Sequence, residues 1–149
     1  MNHNPSVNRY LKDKAMDHID HALGRPVYPL SETYRNHFAT DVGSADADAF
    51  LLSPNWQLDG ASGEMAFFSV TENGRWALSE HLMTIGDPWK PFEISFEGFV
   101  SIVPAKSRSS AKYAKYLAIG DCLGDMRFGD FVKKVTVRAL PVARLGSNG

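Results

Sequence analysis

Phe67-Phe68-Ser69-Val70-Thr71-Glu72-Asn73-Gly74-Arg75 decides how the first half of this chain folds. Its apolar start, extended upstream to Met65 and Ala66, reads as a strand, with Gly60 and Gly63 in the loop before it. The aromatic residues can bury one face of that strand. Thr71 then offers a side-chain oxygen to the amides of a first helical turn. Gly74 falls inside that turn, where the absence of a Cβ permits close packing. A helix is expected from Glu72 to about Met83.

Upstream, Leu11, Ala15, Ile19 and Leu23 fall at i, i+4, i+8 and i+12, one stripe of a helix. Ser6 or Asn8 can cap its start, and Gly24 followed by Arg25-Pro26 stops it. Ser31-Glu32 opens a short second helix through Phe38, its carboxylate in the first turn where the helix dipole favours it. Gly43-Ser44 starts a third, Ala45 to Leu52, ended near Pro54. The expected order is helix, helix, helix, strand, helix.

From Phe50 through Leu78 this text resembles the end of a winged helix-turn-helix domain. In that family a recognition helix leads into a two-stranded wing. The second wing strand runs into a helix through an aromatic–x–x–threonine–x–x–glycine–arginine text, here Phe68 to Arg75. The resemblance covers roughly residues 6–83. It implies that Ser44 to Leu52 is the recognition helix and Asp59 to Glu64 the wing loop. The first carries Asp46 and Asp48 and no Lys or Arg; the second carries two acids and no base. Duplex affinity comes mainly from Lys and Arg on phosphates. The surface that meets DNA in this family would therefore repel it here. Asp41, Asp46, Asp48, Asp59 and Glu64 are instead expected to meet Arg and Lys of a protein partner. Tyr34-Arg35-Asn36-His37-Phe38, taken with the wing text and the second half, also resembles small uncharacterised proteins of phage and prophage genomes. That implies an origin in mobile elements, not an activity.

The second half reads differently. Phe92 to Glu97 alternates apolar and polar, as a half-buried strand does, and Gly98 turns it into a partner from Phe99 to Val103. Ser107 or Ser109 caps a helix through about Asp121, with Tyr113, Ala114, Leu117 and Ala118 as its inner face and Lys112 and Lys115 outside. A short helix near Phe128 to Val132 and a strand from Lys134 to Arg138 complete a β-β-α-α-β unit. The fold class is α+β: a winged-helix-like unit, residues 1–85, packed on a small α+β unit, residues 86–149. Gly86-Asp87-Pro88-Trp89-Lys90-Pro91 connects them. The helix after Thr71 presents Leu78 and Leu82 to one side and Trp76 and Met83 to the other, so it is expected between both units. The tail from Arg144 to Gly149 is expected to fray.

Charge divides at the same place. Residues 1–85 carry six Lys and Arg against eleven Asp and Glu; residues 86–149 carry ten against six. Either the halves neutralise each other by contact, or they present two surfaces with different tasks. The basic set is Lys106, Arg108, Lys112, Lys115, Lys133, Lys134 and Arg138, with Tyr116 placed to stack on an exposed base.

No constellation marks a reaction. His18 and His21 share a helix face at i, i+3, but third and fourth metal ligands are not evident. His37 has no nucleophile beside it. Asp46-x-Asp48 is too sparse for a cation site. Cys122 follows Asp121, a neighbour that disfavours the thiolate, and is expected as partly buried packing. Phosphate-cradling glycine loops, a nucleophile elbow and paired carboxylates are absent from the text. One cysteine cannot build a disulfide framework and fits a reducing, cytoplasmic compartment. The N-terminus has no secretory h-region, and no apolar stretch approaches the ~20 residues of a membrane span. The expectation is a non-enzymatic interaction or regulatory protein without cofactor or metal. It would dock its acidic face onto a host protein or nucleoprotein complex, as an inhibitor or antirepressor, such as an anti-CRISPR, does. The alternatives are a DNA-binding winged-helix transcriptional regulator that uses the basic half, and a phage structural or assembly component.

Overall fold

The computed structural model describes residues 4–142; the tail expected to fray lies outside them. The N-terminal unit runs α1 (Lys14–Ala22), β1 (Phe38–Asp41), α2 (Ala45–Leu52), β2 (Trp56–Ser62), β3 (Met65–Val70) and α3 (Glu72–Thr84). The C-terminal unit runs β4 (Lys90–Phe96), β5 (Phe99–Ala105), α4 (Arg108–Ala118), α5 (Gly120–Leu123), α6 (Phe128–Lys134) and β6 (Thr136–Ala139). Each unit holds one three-stranded antiparallel sheet, ordered β1-β3-β2 and β5-β4-β6. The α+β class therefore stands.

The deciding stretch folds for the reasons its residues suggest. Ala66, Phe68 and Val70 alternate into the first core. Phe68 meets Phe50 edge to face at 5.2 Å, and Phe50 stacks on Trp56 at 4.0 Å. Thr71 is the N-cap of α3: its hydroxyl accepts from Gly74 N and donates to Pro54 O at 2.6 Å. Gly74 packs so closely on the turn before β2 that a Cβ there would sit 2.5 Å from Asn55 O. Ile19 and Leu23 of the first helix region, with Leu78 and Leu82 of α3, close the core from the helical side.

Three expectations give way. The first helix starts at Lys14 with Asp13 as its cap, not at Ser6 or Asn8. Residues before it run extended, bridged from Ser6 to Pro26, because Asp17 accepts from Leu11 N and Arg9 turns inward. Its end is as expected. Gly24 adopts φ +83°, its amide donates to His21 O, and Arg25 N donates to Asp20 O, a Schellman closure.

The helix expected from Ser31 to Phe38 does not form; the segment is irregular and then enters β1. Its backbone is satisfied from elsewhere. Arg75 donates to Pro29 O and Ser31 O, both at 2.9 Å, and His37 N donates to Ala22 O. Asn36 brackets Val70, accepting from its N–H at 2.7 Å and donating to its carbonyl at 3.0 Å. The order is thus helix, strand, helix, strand, strand, helix, and part of the expected wing loop is strand β2.

In α4 the faces are exchanged. Ala111 is buried and Lys112, Lys115 and Tyr116 are half-buried, whereas Tyr113 and Leu117 are 50% and 61% exposed. The small Ala111 lets the helix approach the sheet. Lys115 Nζ reaches Ser101 Oγ at 2.9 Å, and the Tyr116 hydroxyl donates to Met126 O at 2.7 Å. Polar tips with partners make these side chains acceptable on the inner side.

The units meet along α3, the connector and the segment after β6. Tyr28 donates its hydroxyl to Pro141 O at 2.9 Å, and Ser79, buried, donates to Val142 O. Arg9 pairs with Asp87 at 3.2 Å. Among the described residues this is the ion pair that crosses the halves, and its polarity is reversed: the acidic half supplies the cation. Mutual neutralisation therefore does not explain the charge asymmetry.

Candidate functional site: the acidic end of the N-terminal unit

β1 ends at Asp41, opposite Met65 of β3. The next residue, Val42, donates its N–H to Glu64 O at 2.7 Å, which fixes the β1 end beside the β2–β3 turn. The chain then reverses, with Ser44 N donating to Asp41 O at 3.1 Å, and enters α2. Ser44 caps that helix by accepting from Ala47 N, and Asp46 and Asp48 lie in its first turn, where the dipole stabilises carboxylates. Asp41, Asp46, Asp48 and Glu64 are thereby gathered at one end of the unit. Asp59 stands further along the sheet, at the bulge between Leu58 and Gly60, where Gln57 and Ser69 donate to its carboxylate at 3.2 and 3.0 Å.

Of these five, Asp46 has a histidine beside it: His18 Nε2 lies 3.6 Å from its Oδ1. The His18 ring is set edge-on between Phe38 and Phe50, so this histidine is half-buried against the aromatic core. Asp41, Asp48, Asp59 and Glu64 form no ion pair there and are exposed. Apolar side chains accompany them: Val42, Leu51, Leu58 and Leu52, the last 88% exposed. Such a surface has negative charge to steer an encounter and apolar groups to bury on contact.

Comparison with protein-family models, with curated proteins and with solved structures finds no match.

Several of the basic residues are engaged. Arg108 donates to Val137 O at 2.8 Å, Arg138 pairs with Glu93 at 3.0 Å, and Lys115 holds Ser101. Lys133 and Lys134 are exposed in the last turn of α6, and Lys106 lies at the seam between the units. Tyr116 packs against Phe128 and Phe131, which withdraws its ring from stacking on a base. Other candidates resolve into packing. His37 stacks on Phe67 at 5.7 Å. Cys122 is exposed, contrary to expectation, because α5 buries none of its residues. Among the described residues no group of three or more His, Cys, Asp or Glu could hold a metal, and no helix is long and apolar enough to cross a membrane.

Sequence reasoning missed the strongest polar cluster. Arg9 and Asp20, both buried, join Arg25, Asp17 and Asp87 around the end of α1. The hydrogen bond from Arg25 holds the Asp17 carboxyl below its ordinary range, and the same bond raises the arginine. Burial pushes Asp87 up against the pull of Arg9. Arg75 is pushed down by burial while donating to three oxygens of the 29–33 segment. No spacing rule pairs residues 9, 20 and 87; a composition of ordinary charge hid them.

Proposed function

We propose that this chain is a non-enzymatic interaction protein that presents the acidic end of its N-terminal unit to a basic surface of a host protein or nucleoprotein complex. The observation that carries the reading is the gathering of Asp41, Asp48 and Glu64, exposed and without ion pairs among the described residues, beside exposed Val42, Leu51 and Leu52. A regulator or inhibitor of phage or mobile-element type, the anti-CRISPR class among them, fits such a surface. The succession of α2, the β2–β3 hairpin and the Thr71-capped α3 supports a winged-helix relative whose DNA-facing surface has been turned to protein. A DNA-binding role would fall to Lys133 and Lys134, the exposed pair on α6.

Charge reversal tests the reading. Asp48→Lys with Glu64→Lys should lower the unfolding temperature by a few degrees at most and leave the chain folded, since both are exposed and Asp48 gives up only its contact with the α2 dipole. Any partner captured from the host by the parent chain should be lost. Retained capture would count against the acidic end. A labelled random duplex titrated over a salt series separates the alternative. Saturable binding whose log affinity falls linearly with log salt would move the function to the basic residues.

A further inference from the structure

Where the two units meet, Val27, Leu82, Met83, Trp89, Phe92 and Leu140 enclose a cleft of about 540 Å³. That lies within the roughly 300–1,000 Å³ of clefts that hold small organic ligands. Its walls are apolar, and most of its polar groups are already committed. The Ser79 hydroxyl donates to Val142 O, and the Asp87 carboxylate is held by Arg9 at 3.2 Å. Two cations are not committed. Lys90 and Lys106 are exposed, line the same cleft, and make no ion pair or side-chain hydrogen bond among the described residues. Lys90 opens β4 opposite Ala105, the residue before Lys106, so both lysines stand at the same end of the β4–β5 hairpin. Two unpaired cations lining one apolar hollow favour an anion there, and the hollow favours an apolar body attached to it.

We propose that this cleft binds a small amphipathic organic anion, with its aromatic or alkyl body along Met83, Trp89 and Phe92 and its carboxylate or sulfonate between Lys90 and Lys106. The site is separate from the acidic end and does not depend on it. Both units and the connector contribute walls. Occupancy therefore ties the units together and raises the unfolding temperature with ligand concentration.

Two dyes that share an aromatic body test the assignment. 1-Anilinonaphthalene-8-sulfonate carries the anionic group; N-phenyl-1-naphthylamine lacks it. The sulfonate dye should bind the intact chain saturably, one per chain, about tenfold or more tighter than the neutral dye. Lys90→Gln with Lys106→Gln should weaken the sulfonate dye to the neutral dye's affinity and leave the neutral dye unchanged. Both lysines are exposed, so the variant should melt with the parent. Leu117→Ser, in the separate groove beside Tyr113 and Phe128, should change neither dye. Absence of saturable sulfonate binding overturns the proposal. So do equal affinities for the two dyes, an unchanged sulfonate affinity in the lysine variant, or loss of binding on Leu117→Ser.

Discussion

Arg9 and Asp20 form a two-pronged ion pair, Nε to Oδ2 at 3.0 Å and Nη2 to Oδ1 at 2.7 Å, with side chains 5% and 0% exposed. Arg9 also donates to Pro26 O at 2.6 Å and to Asp87, so one guanidinium holds the extended N-terminal segment, α1, the chain after it and the connector together. Both side chains are almost fully buried, which leaves little water to replace a lost partner.

Removing one member of this pair leaves a buried charge with one ionic partner, Arg25 for Asp20 or Asp87 for Arg9, in place of two. Arg9→Ala or Asp20→Ala should each lower unfolding stability by about 3–5 kcal/mol, measured by urea denaturation. Arg138→Ala, which breaks the pair with Glu93 where Arg138 is 66% exposed, should cost less than about 1 kcal/mol. Similar costs for both would show that the Arg9 cluster is solvated.

Glycine to alanine should have opposite signs at two helical positions. At Gly74 the new Cβ would lie 2.5 Å from Asn55 O and 2.6 Å from Val70 Cγ1, so backbone must move and stability should fall by about 1–3 kcal/mol. At Gly129 of α6 nothing lies within 4 Å, and alanine should add a few tenths to about 1 kcal/mol through helix propensity. A stabilised Gly74→Ala would refute the close packing of α3 on the turn before β2.

Asn36 ends the sheet by standing in for a strand residue against Val70. Asn36→Ala leaves an N–H and a C=O without this partner and should cost about 1–3 kcal/mol. Amide exchange at Val70 should accelerate in the variant. Unchanged protection there would place the bond outside the native ensemble.

Acid should weaken the fold in two stages. Burial on the side turned to Phe38, then the positive charges of Arg35 and Arg25, push His21 below the usual 6.5. The folded chain takes this proton less readily than the unfolded chain. Its contribution is complete above about pH 6.5 and is lost as pH falls through that value toward the lowered one. Asp17 follows the same sign further down: held below 3.8 by Arg25, it contributes above that value and is lost in stronger acid. Asp87 opposes them, since its raised value makes its contribution complete below 3.8 and lost as pH rises through the folded value. Urea midpoints at about pH 7.5 and 5.5 should fall less for His21→Gln than for the parent chain. Equal falls would assign the loss to other groups.

Much of the fold was legible because it follows from local chemistry. The cap at Ser44, the span of α2, the strand from Met65 to Val70, the capped helix after it and the β4–β5 hairpin all come from residues within a few positions of one another. The acidic residues were legible as a set, but their gathering was not. Asp41 and Glu64 are 23 positions apart in number and meet because β1, a strand the sequence did not announce, pairs with β3. On α4 the apolar pattern pointed the wrong way, since Tyr113 and Leu117 are apolar but exposed, whereas Lys115 and Tyr116 reach partners on the inner side.

Where the chain turns, caps and alternates follows from neighbouring residues, because propensity, capping and periodicity act over one or two turns of chain, and the unequal charge of the halves is a matter of composition. Tertiary structure alone decided that residues 31–37 are not helical, that Arg9 is buried with Asp20, and that two lysines face a cleft between the units. Those outcomes depend on hydrogen-bond partners and desolvation supplied by segments dozens of residues away, and a buried polar group takes whichever conformation gives it a partner.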